Sequence, residues 1–185
     1  EYATLLARSG RFEQAHAALQ FAANAAAGDP DRLQFIGRTY LHLHRFHEAL
    51  PLFDRALALA PRHGQAMAGR GAAYDALMQT DLAMSAYSAS LEFDPNDRWV
   101  ALRLAALKAQ RGATHESGQI LATYLKREPN DSVTLLRDAL LLPVINDSVA
   151  MIEAARDRYA HRFEALAHRP LSISTREMPL VPATF

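Results

Sequence analysis

At 185 residues, half of them apolar, the chain has material for a sizeable core in one or at most two domains. Twenty basic residues against twenty acidic ones leave no net charge, so the electrostatic footprint of a nucleic-acid or anionic-membrane binder is missing. The absence of cysteine excludes disulfide frameworks, thiolate zinc sites and cysteine nucleophiles, and no apolar run approaches the ~20 residues that a membrane-spanning helix needs.

From residue 3 to residue 129 the pattern repeats every 34 residues without slippage. A first, partial helix carries Ala3 and Leu6 and turns at "SGRF" into a second with Ala15, Leu19 and Ala22, which stops at Ala27. Asp29 then caps a helix opened by Pro30 and carrying Gly37 and Tyr40; after the turn "HRF" its partner carries Ala49, Phe53 and Ala56 and stops at Pro61. The next unit repeats this with Gly71 and Tyr74, then Ala83, Tyr87 and Ser90, then Pro95. Asp97 caps a fourth unit with Ala105 and Lys108, the turn "RGAT", Ser117, Leu121 and Tyr124, and a stop at Pro129 before the cap Asp131. Small, large, small at i, i+4, i+7 is one helix face. Glycine or alanine lets two helix backbones approach, the large residue fills the neighbouring groove, and proline ends the second helix.

These columns resemble the tetratricopeptide repeat family, most closely at residues 33–61 (Gly37, Tyr40, Ala49, Phe53, Ala56, Pro61) and 68–95 (Gly71, Tyr74, Ala83, Tyr87, Pro95). The resemblance implies an all-α fold, a right-handed superhelix (α-solenoid) of antiparallel helix pairs, with a concave groove lined by the first helix of each pair. Groove-facing residues would be Asp31, Gln34, Arg38 and His42, then Gln65, Ala68, Ala72 and Asp75, then Trp99, Arg103, Ala106 and Gln110. Trp99 and Arg103 are the strongest candidates for partner contacts, although Trp99 also reads as a packing residue at a helix start. Two binding modes of the family are not matched. A clamp for a terminal carboxylate would need Lys and Asn where this chain has Gln34, Arg38, Ala68 and Ala72, and an asparagine ladder would need Asn at Phe35, Gly69 and Arg103.

Catalytic chemistry has little to stand on. His42, His44 and His47 cluster in sequence, but His44 falls in the turn column with Gly10, Met78 and Gly112, which puts the other two on different helices. Ser117 of "ESGQI" stands in the small-residue column, where packing explains it, and no glycine-rich stretch has the spacing of a phosphate loop. No cofactor and no metal is expected in this chain.

The period ends at Pro143. A half-repeat from Val133 gives way to a longer helix capped by Asp147 or Ser148 and running to about His168, close to double the repeat helices in length, with an apolar stripe of Val149, Ile152, Tyr159, Phe163 and Leu166 interrupted by Arg156. After Pro170 the pattern becomes an extended connector whose apolar residues, including Leu180, Val181 and Phe185, call for a cover. The expected organisation is a repeat array at 1–131, a half-repeat and transition helix at 132–168, and a connector at 169–185 leading to a further C-terminal domain; both ends read as cut. Residues Leu142, Pro143, Ile145, Ser148, Ile152, Arg156, Arg158, Leu166 and Phe185 resemble the junction that precedes the catalytic region in the bacterial SPINDLY family, relatives of protein O-linked N-acetylglucosamine transferases; Asn146 and Thr184 depart from that pattern. That resemblance implies a cytoplasmic arm that binds protein or peptide segments in its groove and positions them for its own C-terminal glycosyltransferase domain. A stand-alone adaptor, or the repeat arm of another enzyme such as a sulfotransferase, are the alternatives.

Overall fold

The computed structural model describes residues 2–141, 148–175 and 177. Among these residues the fold is all-α: α1 (Tyr2–Arg8), α2 (Phe12–Ala25), α3 (Pro30–His42), α4 (Phe46–Leu59), α5 (Gly64–Ala76), α6 (Thr80–Phe93), α7 (Arg98–Gln110), α8 (Thr114–Leu125), α9 (Ser132–Ala139) and α10 (Val149–Ala167). Helices α2, α4, α6 and α8 begin at residues 12, 46, 80 and 114, and α3, α5, α7 and α9 at 30, 64, 98 and 132. Both series step by 34, so the period of the sequence is the period of the structure.

Local chemistry enforces that period at both ends of the first helices. Their caps, Asp29, His63, Asp97 and Asp131, accept the N–H of Arg32, Ala66, Val100 and Val133, satisfying donors that a helix start leaves without partners. His63 was not legible as a cap; because its Nδ1 accepts at 3.3 Å, the ring proton sits on Nε2, 3.1 Å from Asp31 Oδ1. At the other end Gly10, His44, Met78 and Gly112 take φ of 78°, 56°, 61° and 79°. The N–H of each following residue, Arg11, Arg45, Gln79 and Ala113, reaches back five residues to a carbonyl at 2.9 Å, the bond that closes a helix through a left-handed residue.

Two of these turn positions lack glycine. Met78 is 85% exposed, so Met78→Gly removes a Cβ penalty and few contacts; it should stabilise the chain by up to about 1 kcal/mol, the backbone relief being partly offset by glycine's greater freedom when unfolded. A thermal melt checks this, and a lowered midpoint would show that the turn carries no strain.

The chain divides into two compact units, residues 1–94 and 95–185. In the first, Ala15, Ala49 and Ala83 are buried in the small-residue column, and Leu19, Phe53 and Tyr87 in the large one. Phe53 explains two glycines: a β-carbon at Gly37 would lie 2.8 Å from its ring, and one at Gly69 would meet the same ring more closely still. Gly71 stands in the same relation to Tyr87, at 2.7 Å.

In the second unit Leu102, Ala105, Leu121 and Val133 form a core joined by Ile120, Leu141 and Ile173. Ser117 Oγ donates to the Ala105 carbonyl at 2.7 Å, which accounts for this buried serine as a packing residue. Helix α9 starts in register but ends after 8 residues, whereas α7 runs for 13. The following helix, α10, is capped by Ser148 through the Met151 N–H and spans 19 residues against 12 for α8 and 14 for α2, α4 and α6. It is therefore about half as long again as its counterparts, not double.

Its expected apolar stripe is also corrected. Val149, Ile152 and Phe163 are 70%, 44% and 52% exposed, while Ala155 and Leu166 are buried. A two-turn α9 offers little apolar surface, and α10 engages its end with arginines. Arg158 donates to the Leu141 carbonyl at 3.2 Å and Arg162 to the Asp138 carbonyl at 2.8 Å, where a helix C-terminus leaves carbonyls open and favours cations. Arg162 also lies 2.9 Å from the Asp138 carboxylate as an ion pair; burial pushes that carboxyl up, and Arg162 and Arg158 pull it back. Arg156, the residue expected to pair or snorkel, is exposed. Leu142, Pro143, Ile145, Asn146, Asp147, Leu180, Val181, Thr184 and Phe185 lie outside the described residues.

Candidate functional site

In the first unit, the first helices α3 and α5 expose Asp31, Arg38, His42 and Gln65. Gln34 is not among them: it is 7% exposed. Helix α3 packs on α2, α4 and α5, so less of its circumference is open than a simple groove lining assumes. Asp75 is half-buried and accepts the Tyr87 hydroxyl at 3.4 Å. His42, His44 and His47 are exposed, and His44 sits in its left-handed turn edge-on to Phe46 at 5.8 Å.

An open apolar surface of this unit escaped the sequence reading. A cleft of about 800 Å³ opens between α1, α2 and α3, lined by Tyr2, Ala18, Phe21, Ala22, Phe35 and Ile36, with Asp31, Arg32 and Thr39 at its polar edge. Tyr2, Phe21 and Phe35 are 69%, 78% and 49% exposed, and the Arg38 guanidinium lies 5.5 Å from the centre of the Phe35 ring. Water-exposed aromatics at one concave apolar site are the usual mark of a surface that binds something. A signal was available. Phe21 stands where later repeats have Arg55, Ala89 and Thr123, and Phe35 where they have Gly69, Arg103 and Arg137.

In the second unit Trp99 is 44% exposed, Gln110 is exposed and Arg103 is half-buried. Burial and the charge of Arg103 both hold Arg137 below the usual arginine range, burial being the larger cause. A polar group of this unit was again not foreseen. Arg98 Nη1 sits 3.2 Å from Asp131 and 2.6 Å from Glu177. Asp131 accepts the Thr134 hydroxyl at 2.7 Å and the Val133 N–H at 3.3 Å. Glu177 accepts the Ser174 N–H and hydroxyl at 3.0 and 2.7 Å; these two bonds first, then Arg98, hold its carboxyl down at about 2. Tyr124 is pushed up to about 12 by burial and then by the Asp131 charge. Among the described residues no group of three or more His, Asp or Glu converges as metal ligands would, and no helix is long and apolar enough to cross a membrane.

No protein-family model matches the sequence, and no curated protein does. Solved structures do. A MamA structure superposes with a TM-score of 0.67 over 93% of this chain and 93% of that one at 14% identity. MamA from Desulfovibrio magneticus RS-1 does so at 0.64 over 91% and 94%, at 19% identity. YrrB, described as a TPR protein with an unusual peptide-binding site, matches at 0.64 over 90% and 82%, at 18% identity. The fold is that of tetratricopeptide repeat proteins. Identities this low show the shared architecture, and the tetratricopeptide columns supply the reason for it: glycine and alanine where helices close on Phe53 and Tyr87.

Proposed function

We propose that the chain is a tetratricopeptide arm that binds protein segments. The observation carrying this is the cleft at α1, α2 and α3, where Tyr2, Phe21 and Phe35 stand in water around a concave apolar site. Buried aromatic side chains dominate binding energy at protein interfaces, so a partner covering Phe35 gains most there. A displayed random-peptide library screened against the chain should return segments with an apolar anchor. Phe35→Ala should weaken them about tenfold or more while leaving the thermal midpoint unchanged. A library that returns nothing, or binders indifferent to Phe35→Ala, would overturn the reading.

The finer reading is that this arm positions acceptor proteins for a C-terminal glycosyltransferase of the SPINDLY type. Its support is the junction pattern, of which Ser148, Ile152, Arg156, Arg158 and Leu166 are described and all lie on or at the cap of α10. In this reading the arm needs no cofactor or metal of its own and works in the cytoplasm, and sugar transfer from a nucleotide sugar takes place beyond Phe185. Residues 1–185 should then show no transferase turnover with a nucleotide sugar and acceptor protein; measurable turnover would sink the division of labour. The reading frame past Phe185 separates this from a stand-alone adaptor, a His-Gly stretch favouring the first and an immediate stop codon the second.

A further inference from the structure

The second residue of each first helix shows a break in the repeat. Asp31, Gln65 and Trp99 are exposed at that position, but Val133 of α9 is 1% exposed, and its neighbour Ser132 is 5% exposed. Part of what lies against them is the connector that follows α10. Arg169 donates to the Pro129 carbonyl at 3.1 Å, the Ser172 N–H donates to Ser132 Oγ at 2.9 Å, and Ile173 packs on the core of Leu102, Leu121 and Val133. Glu177 then reaches Arg98 at the start of α7, 79 residues away in sequence. The segment runs from the start of α9 to the start of α7 without helix of its own at residues 171–174.

Each of its anchors is a recognition element. Ser132 reads a main-chain N–H, Leu102 and Val133 receive one apolar side chain, and Arg98 takes a carboxylate. Asp131, the cap of α9, pairs with the same Arg98 Nη1 at 3.2 Å, so the guanidinium is held at the start of α9. We infer that the surface formed by the starts of α7 and α9 is a receptor for a segment that passes an apolar residue without helix and then turns, the Glu177 N–H donating to the Ser174 carbonyl at 2.9 Å, to present a carboxylate four positions later. The connector, with Ile173 and Glu177, occupies it in cis.

The inference deepens the reading of the chain as a peptide-binding solenoid and rests on it for its consequence in trans. A tethered segment acts at an effective concentration of order millimolar, and a partner's apparent affinity falls by the fraction of molecules whose site is open. The connector therefore works as a gate: only a segment with the same apolar and acidic anchors, binding more tightly, displaces it.

The test uses the full chain and a fluorescein-labelled peptide of residues 169–177, followed by polarisation. The double variant Ile173→Asp, Glu177→Lys should bind the peptide at least about tenfold more tightly than the unaltered chain, and adding Arg98→Glu should abolish that gain. In the same variant the Ser172 amide should lose protection from hydrogen exchange, a readout of cis docking that needs no partner. If Ile173→Asp unsettles the fold, Glu177→Gln alone should give the same direction with a smaller gain. Equal peptide binding by open and unaltered chains, or binding indifferent to Arg98→Glu, would overturn the receptor. Because Phe35 lies in the other unit, failure of the cleft at α1, α2 and α3 is read separately.

Discussion

Phe53→Ala should lower the stability of the first unit by about 3–5 kcal/mol, the range for truncating a fully buried aromatic. The upper end is expected because the site cannot collapse. Phe53 is 0% exposed, and its ring lies between Gly37 on α3 and Gly69 on α5, so the walls on those two sides are backbone with no side chain to swing into the void. The converse substitution discriminates between packing and propensity. Gly69→Ala gains about 1 kcal/mol of helix propensity, yet its β-carbon meets the Phe53 ring, and overpacking costs about 1–3 kcal/mol; net loss is expected. In a Phe53→Leu background, Gly69→Ala should become neutral or favourable. Urea unfolding of the three variants measures this, and a Gly69→Ala chain more stable than the parent would show that the ring does not require that glycine.

Asp131→Ala is the second large effect, about 2–3 kcal/mol in the other unit, from loss of an N-cap together with charged hydrogen bonds to the Thr134 hydroxyl and to Arg98. One consequence is specific to this carboxylate. Tyr124 stands at about 12 against an ordinary 10.0, chiefly by burial and next by the Asp131 charge. A phenol raised in the folded state binds its proton more tightly there than in the unfolded chain. Its contribution to stability is complete below the ordinary phenol value and is lost as pH rises through about 12. In Asp131→Ala the phenolate absorbance step of Tyr124 should move part of the way back toward 10.0, the burial contribution remaining. An unmoved step would mean that Asp131 does not act on Tyr124.

What was legible before the structure was what neighbouring residues decide among themselves. Asp29, Asp97 and Asp131 read as caps because a short acceptor before a helix satisfies local donors, and all three do so. The turn column of Gly10, His44, Met78 and Gly112 was visible as an alignment, and all four have positive φ. His63 as a cap was not visible, since histidine serves there only in one tautomer. The groove list was less complete. Gln34 is buried although its column is groove-facing by resemblance, and Phe21 and Phe35 line the open cleft although neither belongs to a core column.

The sequence by itself determined the 34-residue period, the repeat helices and most of their caps and turns, and the column glycines Gly37 and Gly71 that admit Phe53 and Tyr87, because backbone hydrogen bonding, sterics and helix-face spacing act over a few residues and repeat identically. Only the tertiary structure decided which faces stay open. That α10 meets α9 through Arg158 and Arg162 and leaves Ile152 and Phe163 in water depends on how short α9 is. That Ile173 and Glu177 return to α9 and α7 depends on the apolar cluster of Leu102, Leu121 and Val133 and on Arg98, which are assembled from helices far apart in the chain. No local pattern encodes such contacts: they follow from which surfaces the folded helices leave unsatisfied.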